Sequence, residues 1–307
     1  MRDIFIKRLS QLAETNPKIF LVTGDLGFRV LDDYAKRFPK QFLNAGVAEQ
    51  NMTGLAVGLA LEGRIVFTYS IANFPTLRCL EQLRNDACFH EANVKVVSIG
   101  GGFSYGALGA SHHATEDLSI LRALPGIKVF VPGDDWEVDE LTKAAVDTPG
   151  TCYLRLDKSS AGHTRKNGEL FQVGKARTVR EGSDVTLVTS GGILAEVLAS
   201  ADHLLKKGIS CRVLSMHTVA PIDRSAIRNA CLETGGVISI EEHTLNGGLG
   251  GAIAEVCMDE GIYQSFSRRI GLRGEFSSMV GSQKYLREFF GIDRFSIIRV
   301  VTDALSS

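Results

Sequence analysis

Nowhere in this 307-residue chain does an uninterrupted apolar run approach the ~20 residues needed to cross a bilayer, so no membrane span is expected. Lysine and arginine never gather into a cluster, and the formal net charge is −1. A nucleic-acid partner is therefore excluded, because phosphate binding needs concentrated basic surface. The six cysteines, Cys79, Cys88, Cys152, Cys211, Cys231 and Cys257, make no CxxC pair and no metal-finger spacing. Lying mostly in apolar surroundings, they read as reduced core thiols. Met1-Arg-Asp-Ile-Phe-Ile-Lys-Arg lacks the apolar stretch of a signal peptide, so a cytoplasmic location is expected. Neither a solenoid-period repeat nor a low-complexity segment interrupts the chain.

What remains is a well-packed globular composition, 44% hydrophobic and 22% charged, in a chain too long for one ordinary core. Short β-branched runs alternate with amphipathic helices. Ile19–Thr23, Ile65–Tyr69, Val94–Ile99, Lys128–Val131 and Cys152–Leu156 read as buried strands, with helices near 2–15, 48–62, 76–91, 116–123 and 135–147. After a polar hinge, Asp157–Gly168, a second set has strands at Asp184–Ser190, Ser210–Met216, Gly236–Glu241 and Phe295–Val300. Its helices fall near 193–207, 223–233, 248–260 and 282–290. The pattern predicts an α/β fold of two three-layer α/β/α domains with mainly parallel sheets, at 1–165 and 183–307, with a linker at 166–182. Gly191-Gly192 and Gly247–Gly251 read as turns and helix starts.

The segment Gly46-Val-Ala-Glu-Gln-Asn-Met-Thr-Gly-Leu-Ala-Val-Gly-Leu-Ala-Leu-Glu-Gly63 places one carboxylate, Glu49, at the mouth of an apolar helix. Val47, Leu55, Val57 and Leu59 are expected to surround it with hydrocarbon, so desolvation and neighbours together would govern its proton. Glu49 is either an ordinary first-turn acid or a proton-transfer group. The small residues Gly54, Ala56, Gly58 and Ala60 give the helix a surface that another backbone or a flat ligand can approach.

On this Gly-Val-Ala-Glu-Gln-Asn-Met segment the chain resembles the transketolase-like, thiamine-diphosphate-dependent family. The resemblance implies a pyrimidine-binding domain followed by a transketolase C-terminal domain. It implies that Glu49 bonds the aminopyrimidine ring nitrogen of the cofactor, stabilises its imino tautomer and helps remove the thiazolium proton. Thr23-Gly-Asp-Leu-Gly is similar to the family's early acidic turn, which makes Asp25 a cofactor-site or interface residue, or else a turn cap. Ser70-Ile-Ala-Asn-Phe-Pro-Thr-Leu-Arg-Cys-Leu-Glu-Gln-Leu-Arg84 resembles the family's aromatic loop, but the family's aromatics fall on Ala72 and Pro75. Tyr69 and Phe74 are then the nearby rings able to stack on the aminopyrimidine, unless both belong to the core. Arg78 keeps its place in the pattern, at the cofactor or facing solvent.

Ser104-Tyr-Gly-Ala-Leu-Gly-Ala-Ser-His-His-Ala-Thr-Glu-Asp-Leu-Ser119 resembles the family's histidine loop. His112 falls on the histidine that faces the reactive carbon and exchanges a proton with the substrate oxygen, while His113 packs or orients it. Glu116 and Asp117 are expected to cap the next helix. The family's sugar-binding aspartate is Leu108 here, and Arg155 and Lys158 are the remaining cations for a substrate phosphate. His243 is a structural hydrogen-bonding histidine or a site-facing group.

The family's Gly-Asp-Gly followed by Asn, which holds metal and diphosphate, is missing. The resemblance therefore implies the carboxy-terminal subunit of a split transketolase, assembling as α2β2 with an amino-terminal subunit that holds Mg²⁺ or Ca²⁺. Thiamine diphosphate would lie between them, and a two-carbon ketol unit would pass from a ketose, phosphorylated or not, to an aldehyde. The alternatives are the β-subunit of a 2-oxoacid dehydrogenase or decarboxylase, and a non-catalytic scaffold subunit of the same fold.

Overall fold

The computed structural model describes residues 1–306. Among these residues twelve strands form two sheets. The first has β1 (Ile19–Thr23), β2 (Phe42–Asn44), β3 (Ile65–Ile71), β4 (Val94–Ile99), β5 (Lys128–Phe130) and β6 (Cys152–Leu156). The second has β7 (Arg177–Arg180), β8 (Val185–Thr189), β9 (Cys211–Ser215), β11 (Gly236–Thr244) and β12 (Phe266–Leu272), while β10 (Thr218–Ala220) returns to the first. The helices of the first half are α1 (Arg2–Thr15), α2 (Asp32–Arg37), α3 (Glu49–Leu61), α4 (Leu80–Gln82), α5 (Asp117–Arg122) and α6 (Asp135–Asp147). Those of the second are α7 (Leu194–Lys206), α8 (Arg224–Glu233), α9 (Leu249–Glu260), α10 (Gln283–Phe289) and α11 (Arg294–Ser306).

The first sheet runs β10-β5-β6-β4-β3-β1-β2, parallel except for β10, and the second runs β12-β11-β8-β9-β7, parallel except for β7. Buried strands with branched side chains on both faces need helices on both sides, and both sheets have them. Phe5 and Leu9 of α1 and Val138 and Leu141 of α6 cover one face of the first sheet. Met52, Ala56 and Val57 of α3 cover the other, each large side chain contributing about 1.5–3 kcal/mol by its burial. In the second sheet α7 and α11 face α8 and α9 across the strands. This is the expected α/β architecture.

Three local expectations are corrected. Phe295–Val300 is part of helix α11 and not a strand. Ile297, Ile298, Val301 and Ala304 are buried at helical spacing while Phe295 is exposed, and the Asp293 carboxylate accepts the N–H groups of Phe295 and Ser296. The fifth strand of that sheet is β12, whose exposed Ser267, Arg268 and Arg269 hide it from a hydrophobic pattern and suit an edge. The helix expected over 76–91 is divided into a 3₁₀ turn at Leu77–Cys79, α4, and a π segment at Leu83–Cys88. The expected linker 166–182 contains strand β7, which pairs with β9. Among the described residues no helix is long and apolar enough to cross a membrane.

Candidate functional site

Because β1, β2, β3, β4 and β6 are mutually parallel, the loops after them all open at one edge of the first sheet. The candidate cofactor- and substrate-site residues of the first half lie on those strands or on the segments that follow them. Asp25 follows β1, Glu49 opens α3 after β2, Phe74 and Arg78 follow β3, His112 lies beyond β4, and Lys158 follows β6.

The Glu49 side chain is only 3% exposed. Its hydrocarbon surroundings differ from expectation, for Val47 and Leu55 face outward, 74% and 39% exposed. The enclosure comes from Met52 one turn on and from Gly24 after β1, where an added Cβ would sit 3.6 Å from both Glu49 Cγ and Met52 Sδ. Arg78 donates from Nη1 to Glu49 Oε2 at 2.7 Å, and its guanidinium lies over the Phe74 ring, 4.5 Å from the centroid. Phe74 meets His112 edge-on at 5.2 Å. Glu49, Arg78, Phe74 and His112 thus form one continuous chain of contacts.

Asp25 has φ 58°, a left-handed conformation that aspartate tolerates, and exchanges two hydrogen bonds with Asn44. Asn44 Oδ1 also accepts from Gly46 N–H, so the pair fastens the turn after β1 to the entry of the Glu49 helix. Asp25 is half-buried and positions this entry. Sequence reasoning missed Asn44, although an Asn two residues before a positive-φ glycine signals a side-chain-closed turn. Asn73 was missed as well, and it ties the β3 loop to the histidine loop by donating to the carbonyls of Ser111 and His113.

His112 Nδ1 pairs with Ser111 Oγ at 3.0 Å, leaving Nε2 as the nitrogen for proton exchange. Partial burial and then His113 hold its pKa below the usual histidine value, which favours the neutral ring. His113 is buried, bonded through Nε2 to Gly106 O and set edge-on to Phe103, so it packs, one of its two expected roles. Lys158 is exposed, with its ammonium 3.6 Å from the centroid of Tyr105, a ring that itself lies 6.3 Å from His112. Burial and Arg2 lower the Lys158 pKa.

Two expected site residues are corrected. Tyr69 is 3% exposed and stacks on Phe5 beneath α1, the sheet face opposite α3. It belongs to the core, and Phe74 is the ring beside Glu49. Arg155 is 2% exposed and ion-paired with Asp117 at 2.9 Å, and it donates to the carbonyls of Ala114 and Glu242. Enclosed between the two halves, it cannot meet a substrate phosphate. Asp117 also accepts from Tyr153 Oη at 2.6 Å and is no helix cap.

The α5 amides are capped instead by His243 of the second sheet. Its Nε2 accepts from Leu118 N–H at 3.1 Å and from Ser119 N–H at 3.4 Å, while Nδ1 donates to Thr244 O. The ring must be neutral to do this, and burial pushes its pKa down to about 4. A histidine depressed from 6.5 contributes stability above pH 6.5 and loses it as pH falls toward 4. Side-chain ¹H–¹⁵N spectra are expected to show His243 in the Nδ1–H tautomer and untitrated down to pH 5. Protonation near pH 6.5 would contradict this cap. Glu242, next to it, accepts from Phe103 N–H and is ion-paired with Arg287. Gly102, at φ 58°, makes room for that carboxylate where a Cβ would strike it.

Residues 1–163 match the model for the transketolase pyrimidine-binding domain, and residues 174–297 match that for the transketolase C-terminal domain. The chain belongs to the transketolase family. It is 35% identical over 304 residues to an apulose-4-phosphate transketolase subunit of Phocaeicola vulgatus, covering 98% of this chain and 96% of that one. It is 34% identical over 300 residues to the 6-deoxy-6-sulfo-D-fructose transketolase subunit SqwH of a Clostridium species, covering 97% and 92%. A solved split-gene transketolase, an inactive beta4 tetramer, superposes with a TM-score of 0.88 at 34% identity, covering 99% of this chain and 97% of that chain. The chain is therefore a transketolase-type subunit of the split kind. Among its described residues no group of three or more His, Cys, Asp or Glu is placed to hold a metal ion.

Proposed function

We propose that this subunit supplies the pyrimidine side of a thiamine diphosphate site, and that an amino-terminal partner subunit supplies the diphosphate and metal side, with Mg²⁺ or Ca²⁺. The observation that carries this reading is the buried Glu49 carboxylate at the carboxyl edge of a parallel sheet, already bonded to a flat N–H donor beside the Phe74 ring. An aminopyrimidine protonated at its ring nitrogen is likewise flat and donates an in-plane N–H, so the residues present fit the group. When bound, thiamine diphosphate supplies the carbon nucleophile that accepts a two-carbon ketol unit from a ketose and gives it to an aldehyde.

The chain's own residues would do the rest. Glu49 takes up and returns the proton of a ring nitrogen, its burial strengthening that bond. Phe74 offers a π face, and Asp25 with Asn44 holds the Glu49 entry in register. Neutral His112 exchanges a proton at the substrate oxygen through Nε2. Lys158 is the cation for a phosphorylated substrate. The complex is proposed as α2β2 and located in the cytoplasm.

The purified chain with thiamine diphosphate and Mg²⁺ is expected to show no ketol transfer. Adding an amino-terminal subunit that carries Gly-Asp-Gly and the following Asn is expected to restore it, with ketoses and not 2-oxoacids as donors. Turnover by the chain alone, equal to that of the mixture, would overturn the two-subunit reading.

A further inference from the structure

Arg78 makes two contacts at once. Its Nη1 bonds the buried Glu49 carboxylate at 2.7 Å, and its guanidinium plane covers Phe74 at 4.5 Å. A guanidinium is flat, delocalised, able to stack through its faces and able to donate N–H in its plane. An aminopyrimidine that has taken up a proton at its ring nitrogen has the same three properties, a flat face, a delocalised charge and an in-plane N–H to donate to Glu49.

The two partners differ in exposure. The Glu49 side chain is 3% exposed and that of Arg78 is 47% exposed. The carboxylate is fixed in the first turn of α3, whereas Arg78 reaches it from a 3₁₀ turn, Leu77–Cys79, on a long side chain open to solvent. Arg78 can leave without unpacking the fold, and Glu49 cannot. An isolated buried carboxylate is costly, so some positive or N–H-donating group must face it whenever the site lacks another occupant.

Resting on the cofactor reading above, we propose that Arg78 is a stand-in for the aminopyrimidine. It neutralises Glu49 and covers Phe74 until a pyrimidine ring arrives, and the ring enters by exchanging places with the guanidinium. Arg78 is thus a positioning residue that keeps the pocket shaped and lowers its apparent affinity. The ion pair, whose guanidinium end is open to solvent, and the cation–π contact are each modest, so removing both should tighten pyrimidine binding by about three- to tenfold.

The test uses the full chain and 4-amino-5-hydroxymethyl-2-methylpyrimidine as the probe, titrated by calorimetry against wild type, R78A, R78K and E49Q. The Arg78 guanidinium ¹⁵N resonances are followed in parallel. R78A is expected to bind about three- to tenfold tighter and R78K between the two, because lysine keeps the charge without the plane. E49Q is expected to bind at least tenfold weaker, and saturation should release the guanidinium signal of the wild type to its solvent-exposed position. R78A affinity equal to or below wild type, or a guanidinium signal unmoved at saturation, overturns the stand-in while leaving Glu49 as the ring's partner. Binding that ignores E49Q, or is absent in all four proteins, overturns the cofactor reading and the stand-in with it.

Discussion

Glu49→Gln is expected to cut ketol transfer by the assembled two-chain enzyme by about 10²–10⁴-fold, the usual range for losing a positioned general acid or base. Glutamine has the same shape, and its side-chain oxygen can still accept from Arg78, so the helix mouth and the Phe74 contact persist. What it loses is the capacity to bind and release a proton. The fall should therefore appear in kcat, with subunit assembly unchanged by gel filtration and the unfolding midpoint moved little. Because the native side chain is 3% exposed, no water molecule in bulk exchange can replace it at close range. Activity within a factor of two of wild type would make Glu49 an ordinary first-turn acid and favour a scaffold role for the chain.

Arg155→Met should destabilise the fold by about 3–5 kcal/mol, the cost of leaving buried charge unpaired. Arg155 faces Asp117 at 2.9 Å, and Asp157 lies in the same enclosed cluster, where its Oδ2 accepts from Gly192 N–H at 2.6 Å. Burial already raises the Asp157 pKa, and Arg155 is the first group to oppose that shift. Methionine fills much of the volume and supplies no charge, so both acids lose their buried counter-charge. Against a total stability of about 5–15 kcal/mol, such a loss is large and should be plain in urea unfolding. The effect should extend to domain docking, because Arg155 also bonds the Glu242 carbonyl of the second sheet. A change below about 1 kcal/mol would show that this cluster is dispensable and would reopen Arg155 as a ligand-binding residue.

Much of this architecture was legible because the patterns were long and well bounded. The elements Arg2–Thr15, Ile19–Thr23, Val94–Ile99, Asp135–Asp147 and Cys152–Leu156 coincide with their expected limits, each combining clear periodicity with flanking turn residues. Phe295–Val300 failed because Phe-Ser-Ile-Ile-Arg-Val suits a strand locally, and only its packing against the second sheet selects the helix. The passage of β10 back into the first sheet leaves no trace in periodicity, being a three-residue antiparallel edge strand.

At the site, the motif around Glu49 and the paired histidines were readable because both sit on segments that follow strand ends. Tyr69 was misplaced by parity. It shares a face with Phe67, toward α1, whereas Val66 lies toward α3. Phe74 escapes that alternation by lying beyond the end of β3. The burial of Arg155 and the capping of α5 by His243 depend on residues about 90 and 125 positions away, which no local pattern encodes.

On the proposed reading, the Glu49 carboxylate governs proton traffic on a cofactor anchored by another polypeptide. Deuterium exchange at the thiazolium carbon of thiamine diphosphate, measured by quenched-flow NMR in the assembled complex, tests it without any substrate. Exchange is expected to be at least a hundredfold slower with E49Q than with wild type at equal cofactor occupancy; equal exchange rates would contradict the claim.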